Sequence, residues 1–479
     1  MARAGPLLRK HWLFALVLVA AVVVRVGIVL TFWPALFYIG DSFDYLGTAY
    51  RYAVVGWDVV HPSGYPLLIK LMALPGRNVA TIAIVQHIAG LGIGVLAYLL
   101  LIRLAVDRFL AAVAAGFVLL NGWEIVLEQH ILAETFFGLA LIASAFLLIT
   151  APGRAGSAGS GFLLGFSVLL RPVALVAAPI WLVYAAWKHR LSARLLVGVV
   201  ALAVPVLSYA SVHAAAGRGF GFSQFDGWVL YGRVASIADC SKISVPTGTS
   251  GLCESAAQRR YRLARGWTPS RYVFSRKSPA ERTFGYMTKE QANPKLRAFA
   301  LAVIRDRPLT YVRTVASNLQ WTFRPHAGWI GMDPGIFLHE QHESMAVVNR
   351  DPGVQTFLGG YHLRSYGPRH AVVRYTWDSQ PPRPLLAVLT AIPILTLLLA
   401  LFGRGRLRLA RVPESTFLAA MGLALFVAAV AFTEFNLRFL MPALPLLTCA
   451  AALGVADLWG LVVSRHRRAL GRASATARP

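Results

Sequence analysis

Apolar stretches of 15 to 25 residues recur along the chain, separated by short polar segments. They lie near 12–34, 79–102, 109–123, 132–150, 192–213, 385–402, 415–434 and 439–463. A helix crossing a bilayer needs about 20 apolar residues, so the pattern predicts an all-α, multi-span membrane protein. One further apolar stretch, 161–187, is interrupted by Arg171-Pro172. Proline lacks an N–H and clashes with the preceding turn, so this stretch reads as a hairpin of two short halves turning at Arg171. The expected count is then about 10 spans, with both termini on one side. The first run is too long for a signal peptide and lacks a small-residue cleavage site; it reads as a retained span.

Four regions follow from this pattern. Residues 1–213 form an N-terminal transmembrane module whose first external loop is 35–78, with a membrane-parallel helix expected in it. Residues 214–384 are polar, rich in Arg, Gly and Pro, and large enough for a small mixed domain. Within them 294–306 and 308–323 carry helical patterns. Residues 385–463 return to the membrane, and 464–479 form a basic cytoplasmic tail.

Composition agrees with the spans. Hydrophobic residues are 57% of the 479, charged residues only 14%, and mean hydropathy is +0.58. A soluble domain carries about 25% charge, so a soluble enzyme is excluded. The net charge of +26 would point to nucleic acid in a soluble chain. Here the basic residues cluster between apolar runs, as cytoplasmic loops do. They include Arg9/Lys10, Arg103/Arg108, Arg154, Lys188/Arg190/Arg194, Arg404 to Arg411, and Arg465 to Arg468. All fall on one side only if 161–187 turns back at Arg171-Pro172. Nucleic acid is therefore not an expected partner, and the loops without such clusters face outward.

The candidate chemistry gathers in those outward loops. The first holds Tyr38-Ile-Gly-Asp41-Ser-Phe-Asp44-Tyr45. Acids three apart share one face of a helix, and like charges near a membrane surface can raise one pKa, as a general base requires. An interfacial helix with a capping Asp is the plainer reading. His61-Pro-Ser-Gly-Tyr65-Pro follows as an irregular turn. Glu124, Glu128, His130 and Glu134 lie around the next outward turn, Glu134 deepest, and ionisable groups at membrane depth are costly and often functional. Arg171 reaches the same side, and Glu434-Phe-Asn-Leu-Arg438 forms the last outward turn. Arginine grips phosphate through paired N–H groups; an internal ion pair with one of the acids is the alternative. Arg25, inside the first span, is expected to pair within the bundle or to snorkel. His339-Glu-Gln-His342 has the wrong spacing for a zincin site, which needs i and i+4, and no metal is assigned. No Walker or dinucleotide fingerprint is present. Cys240 and Cys253, 13 apart on the oxidising side, are expected to form a disulfide, and Cys449 to be a buried packing residue.

Together these motifs resemble, in order, those of GT-C integral membrane glycosyltransferases, particularly bacterial members related to protein O-mannosyltransferases and lipid A aminoarabinose transferases. The carrying segments are Gly40-Asp41-Ser-Phe-Asp44-Tyr45, His61-Pro-Ser-Gly-Tyr65-Pro, Ala133-Glu134-Thr-Phe-Phe, the stretch around Arg171-Pro172, and Arg438-Phe-Leu-Met-Pro. The resemblance spans 12–213 and 385–460, but not 214–384. It implies a polyprenyl-phosphate sugar as donor, an acceptor in protein, lipid or wall polymer, and an active site on the extracytoplasmic face of the cell membrane. It implies Asp41 as catalytic base, with Asp44 and Glu134 as the other candidate acids. Arg171 and Arg438 would hold the donor phosphate, with His61, Tyr65 and Glu434 near the substrate. Asp44 departs from relatives in which the second acid adjoins the first, and metal dependence varies across the superfamily. A transporter or lipid flippase is the competing reading, disfavoured because the acids gather at one surface and no internal repeat is visible. A non-catalytic assembly partner is a third.

Overall fold

The computed structural model describes residues 9–38, 40–50, 60–76, 78–321, 323, 363–402, 409–433 and 437–476. The protein is an all-α multi-pass membrane protein. Among the described residues six helices are long and apolar enough to cross a membrane, or seven if one bent pair counts as a single span. They are α1 (Trp12–Thr31), α4 (Val79–Arg103), α10 (Ala193–His213, running on to Arg218), α16 (Arg383–Phe402), α17 (Val412–Phe432) and α18 (Leu444–Thr476). The bent pair is α5 (Arg108–Leu119) and α6 (Gly122–Gln129), at 46°. The shorter apolar helix α7 (Glu134–Thr150) packs among them.

The interrupted stretch forms α8 (Arg154–Leu170), a 3-10 turn at Pro172–Val176 and α9 (Ala177–His189). The returning helix lies back on the first: Trp181 Nε1 donates to Ser160 Oγ at 2.8 Å, and Ser157 Oγ meets His189 Nε2 at 3.3 Å. Arg171 therefore sits at one end of the hairpin and Lys188 at the other. Small residues let α10 lie close against it. A Cβ on Gly161 or Gly165 would overlap the backbone of Gly198 or Leu202. Such close backbone approach is how helices associate in lipid, where burial of apolar surface supplies no drive.

The basic residues of the short loops between spans collect at the Lys188 end. An Arg108 guanidinium N–H donates to the Lys10 carbonyl, and Arg411 donates to the carbonyls of Leu104 and Ala105 and pairs with Asp457 at 2.8 Å. Tyr184, one turn before Lys188, donates to Glu414 at the start of α17. The acidic loops lie at the opposite end, beyond the C-terminus of α1 and at the N-terminus of α7.

The described residues of loop 35–78 contain two short helices, α2 (Asp41–Tyr50) and α3 (Gly64–Met72), where a membrane-parallel helix was expected. Pro66 falls in the first turn of α3, where its missing N–H removes no intrahelical bond. The region expected to be a mixed domain is helical and turn-like wherever it is described. Its hydrophobic core joins α11 (Asp226–Val234), carrying Trp228 and Tyr231, to α13 (Lys289–Asp306), carrying Leu296, Phe299 and Val303. Only isolated bridges, Trp33 with Arg364 and Leu36 with His130, replace strands among the described residues. Cys240 and Cys253 are disulfide-bonded there, Cα atoms 6.1 Å apart, and Cys449 is buried.

One polar network runs through the bundle. Arg25 of α1 forks onto Glu128 of α6, with N–O distances of 2.8 and 2.6 Å, and donates also to the Leu119 carbonyl. His87 of α4 meets the same carboxylate at 2.7 Å and reaches Gln129 at 2.8 Å. Gln86 donates to the carbonyls of Glu128 and His130 and accepts from Tyr65. Arg25 and Glu128 are essentially fully buried. A buried pair of this kind stands only because each charge is saturated by hydrogen bonds, and removing one partner strands the other. Gly90 makes the room, since a Cβ there would run into the Glu128 carboxyl.

Glu128→Leu is expected to lower stability by about 3–5 kcal/mol through the stranded Arg25, and Gly90→Ala to lower it in the same direction by forcing the carboxyl aside. Thermal unfolding of the purified protein in detergent checks both. Unchanged melting temperatures would mean that the network does not hold the bundle.

Candidate active site

The site forms where three chain segments meet at the acidic end of the bundle. Gly40 adopts φ +91°, a left-handed conformation suited to glycine, and its carbonyl accepts from the amides of Phe43 and Asp44 to start α2. Asp41 is thereby the first residue of α2, where helix dipole and free amides favour a carboxylate. The preceding strand-like segment is laced to the turn before α7. Leu36 exchanges hydrogen bonds with Gln129 and Ile131, and Ser42 Oγ donates to the Ile131 carbonyl. That lacing carries Asp41 to Glu134, itself the first residue of α7.

Two arginines come in from the other side. Pro172 disfavours helical backbone at the residue before it, and Arg171 is extended, at φ −149° and ψ 118°. It therefore leaves the helix axis at the hairpin tip. Arg438 sits in the short turn Leu437–Leu440 ahead of α18, which Pro442 keeps apart from that helix.

The four charges form one cluster. Arg438 donates to Asp41 Oδ2 at 2.7 Å, and its Nε lies 2.8 Å from Glu134 Oε1. Arg171 donates to the same Glu134 oxygen and lies 3.9 Å from Asp41. Both guanidiniums face the Phe439 ring, and Arg438 also covers Tyr38 at 4.5 Å. His61 lies 3.6 Å from Asp41 and 3.9 Å from Asp44. The two aspartates thus share one histidine, and Asp41 also reaches the arginines. Glu134 is buried; Asp44 is 44% exposed, consistent with a rim position.

Burial by itself would raise the Asp41 pKa. The Arg438 guanidinium, His61 and Arg171 outweigh it and hold the carboxyl well below the usual carboxylate range. As it stands, Asp41 is a stable anion and a weak base.

Of the remaining expected residues, Tyr65 points inward. It is fully buried and donates to Gln86, joining the site to the Arg25–Glu128 network. Glu124 and Glu128 are buried in α6, and Glu128 serves Arg25. Glu434, His339 and His342 lie outside the described residues. Among the described residues no three His, Cys, Asp or Glu side chains gather as a metal ion requires.

Tyr45 was not among the expected site residues. It is fully buried, meets Tyr65 edge-to-face at 4.8 Å and the tilted His61 ring at 4.6 Å, and its hydroxyl lies within the field of Arg171, Asp41, Glu134 and Arg438. Its position four residues after Asp41 was the available signal, since i and i+4 share a helix face.

Comparison with known proteins finds the expected resemblance in one segment. Residues 63–170 match the family model for dolichyl-phosphate-mannose-protein mannosyltransferase. That segment contains Tyr65 and Glu134 and ends just before Arg171; Asp41 and Arg438 lie outside it. No curated protein sequence matches the chain. Among solved structures, the oligosaccharyltransferase AglB of Archaeoglobus fulgidus, in complex with an inhibitory peptide and a dolichol-phosphate, aligns at 15% identity and TM-score 0.42. The alignment covers 97% of this chain and 52% of that one. ArnT of Cupriavidus metallidurans bound to undecaprenyl phosphate aligns at 12% identity and TM-score 0.35, over 93% of this chain and 77% of that one. The chain spans about half the length of the archaeal protein.

A carboxylate whose pKa is depressed on folding adds stability above its unfolded pKa, and that contribution fades as pH falls through the folded value. Wild type and Asp41→Asn should therefore differ in melting temperature by a constant amount above about pH 5, by the reference carboxylate pKa. The difference should shrink on acidification below about pH 4. Melting curves between pH 3 and 7 test this; a gap that widens in acid would contradict the arginine pairing.

Proposed function

We propose that the protein is a glycosyltransferase that takes a sugar from a polyprenyl-phosphate donor and passes it to an acceptor hydroxyl on the extracytoplasmic face of the cell membrane. The observation carrying this reading is the meeting of Arg171 and Arg438 with Asp41 and Glu134, at the bundle end opposite the basic residues. A phosphate grip and a candidate base share one place, where a lipid-borne donor can slide in from the bilayer. The family match over 63–170 supports the same class of reaction. Outward placement of the site follows from the positive-inside rule, since Lys10, Arg108, Lys188 and Arg411 mark the other end as cytoplasmic.

The ion pairs set the order of events. The donor phosphate competes with Asp41 and Glu134 for the two guanidiniums. As it draws them away, Asp41 loses the positive charges that suppress its basicity, and its pKa rises. The carboxylate then takes the proton of the acceptor hydroxyl. The acceptor oxygen forms a bond to the anomeric carbon as the carbon–phosphate oxygen bond breaks. The electron pair leaves with polyprenyl phosphate, whose growing charge falls on Arg171 and Arg438. One displacement inverts the anomeric centre. The leaving phosphate is weakly basic, so no separate acid is needed. His61, between Asp41 and Asp44, is placed to steady both carboxylates. Glu134 keeps the arginines in register before the donor arrives. Excess positive charge in 214–384 would suit an anionic acceptor or lipid headgroup.

The test is sugar transfer by purified protein from radiolabelled polyprenyl-phosphate sugars to cell-envelope extract. Asp41→Asn should lower kcat by at least about 100-fold, the usual scale for a lost general base, with the fold intact. Surviving transfer would move the base to Asp44 or Glu134. Absence of transfer by wild type with every donor would overturn the enzyme reading and direct attention to lipid translocation. Arg438→Lys keeps the charge and loses the forked donor geometry. It should raise the KM for donor about ten-fold or more, while an unchanged KM would remove Arg438 from the phosphate grip.

A further inference from the structure

Several atoms at the centre of the site have no hydrogen-bond partner among the described residues. They are Glu134 Oε2, Arg171 Nε, Thr135 Oγ1 and the Tyr45 hydroxyl. Buried polar groups are almost always paired, so each such atom needs a reason. For Tyr45 packing gives none. Its neighbour Tyr65 is equally buried and donates to Gln86, whereas Tyr45 packs against Tyr65 and His61, on the same helix as Asp41, with its hydroxyl in the electrostatic field of Arg171, Asp41, Glu134 and Arg438.

We propose that the Tyr45 hydroxyl is a third ligand of the donor phosphate, donating a hydrogen bond to an oxygen that Arg171 and Arg438 hold by charge. This rests on the proposed reading that the site binds a polyprenyl phosphate. The chemistry suits a phosphate more than a carboxylate. Two guanidiniums balance the two carboxylates already present, so an entering anion gains from a neutral donor that adds no competing charge. Burial raises the phenol pKa well above its ordinary value, with Asp41 and Glu134 adding to the effect, so Tyr45 stays a donor throughout the working pH range. When the sugar leaves, the phosphate changes from a diester monoanion to a monoester that can carry a second charge. A fixed donor favours that more highly charged product, and so the transition state leading to it.

The experiment uses the full chain in lipid nanodiscs, titrated with undecaprenyl phosphate and, separately, with undecaprenol, which has the same tail and no phosphate. Tyr45→Phe should weaken undecaprenyl phosphate about ten-fold or more, the size of a hydrogen bond to a charged group. Undecaprenol affinity should not change. The ligand-free melting temperature of Tyr45→Phe should equal or exceed that of wild type, because the variant removes an unpaired buried hydroxyl. Tyr65→Phe, which deletes a made hydrogen bond, should lower it. Unchanged phosphate affinity in Tyr45→Phe would overturn the inference while leaving the donor reading intact. Equal weakening of phosphate and alcohol would overturn it in favour of a packing role. Failure of Tyr45→Phe to fold would overturn it too, by revealing a structural partner. A wild-type protein that binds neither better than the other would overturn the inference and the donor reading together.

Discussion

Charge pairing in a medium that cannot solvate charge governs this structure. Water is scarce inside the bundle, and an isolated carboxylate or guanidinium there is far more costly than at a surface. Two clusters among the described residues show how the chain meets the constraint. Arg25, Glu128 and His87 form a closed network with each charge answered. Asp41, Glu134, Arg171 and Arg438 form a second cluster with charges answered but hydrogen-bonding atoms left over. The first ties the helices of the bundle together, and on the proposed reading the second takes one more group.

The two clusters are mechanically linked. Gln86 grips the turn carrying Glu128 and His130 and receives the Tyr65 hydroxyl. Tyr65 supports Tyr45, and the lacing of Leu36 and Ser42 to the same turn fixes α2. Glu134 begins the next helix. The closed network therefore sets the geometry of the open one, and the bend between α5 and α6 is the joint on which both depend.

The candidate site shows how a weak base can be held in reserve. In the ligand-free arrangement the arginines stabilise Asp41 as an anion and so blunt its basicity. The same guanidiniums are what a phosphate would claim. On the proposed reading, substrate binding and activation of the base become one event. His61 touches both aspartates and so ties Asp44, at i+3, to the site.

Much of this was legible in the amino-acid order. Apolar run length announced the spans, because lipid demands helices of a set length with every backbone group paired. Arg171-Pro172 announced the hairpin, since proline disfavours helical backbone at the residue before it, and Arg171 is extended at the break. Side-by-side reading of the basic clusters placed Asp41, Glu134, Arg171 and Arg438 on one side of the bundle. What that reading left open was partnership. Arg25 required a buried anion, but only the bend after α5 selected Glu128. Tyr65 read as a substrate contact, and packing turned it inward to Gln86. Tyr45 went unnoticed beside two aspartates, because a tyrosine in an interfacial helix is common and its burial is invisible in one dimension. The loop helix divided in two, and the polar block carried a helical core. Local sequence determines how each segment must cross or turn, since those rules act over a few residues. Which charges neutralise each other, and which hydrogen bonds stay unmade, depends on segments hundreds of residues apart, and only the tertiary structure decided them.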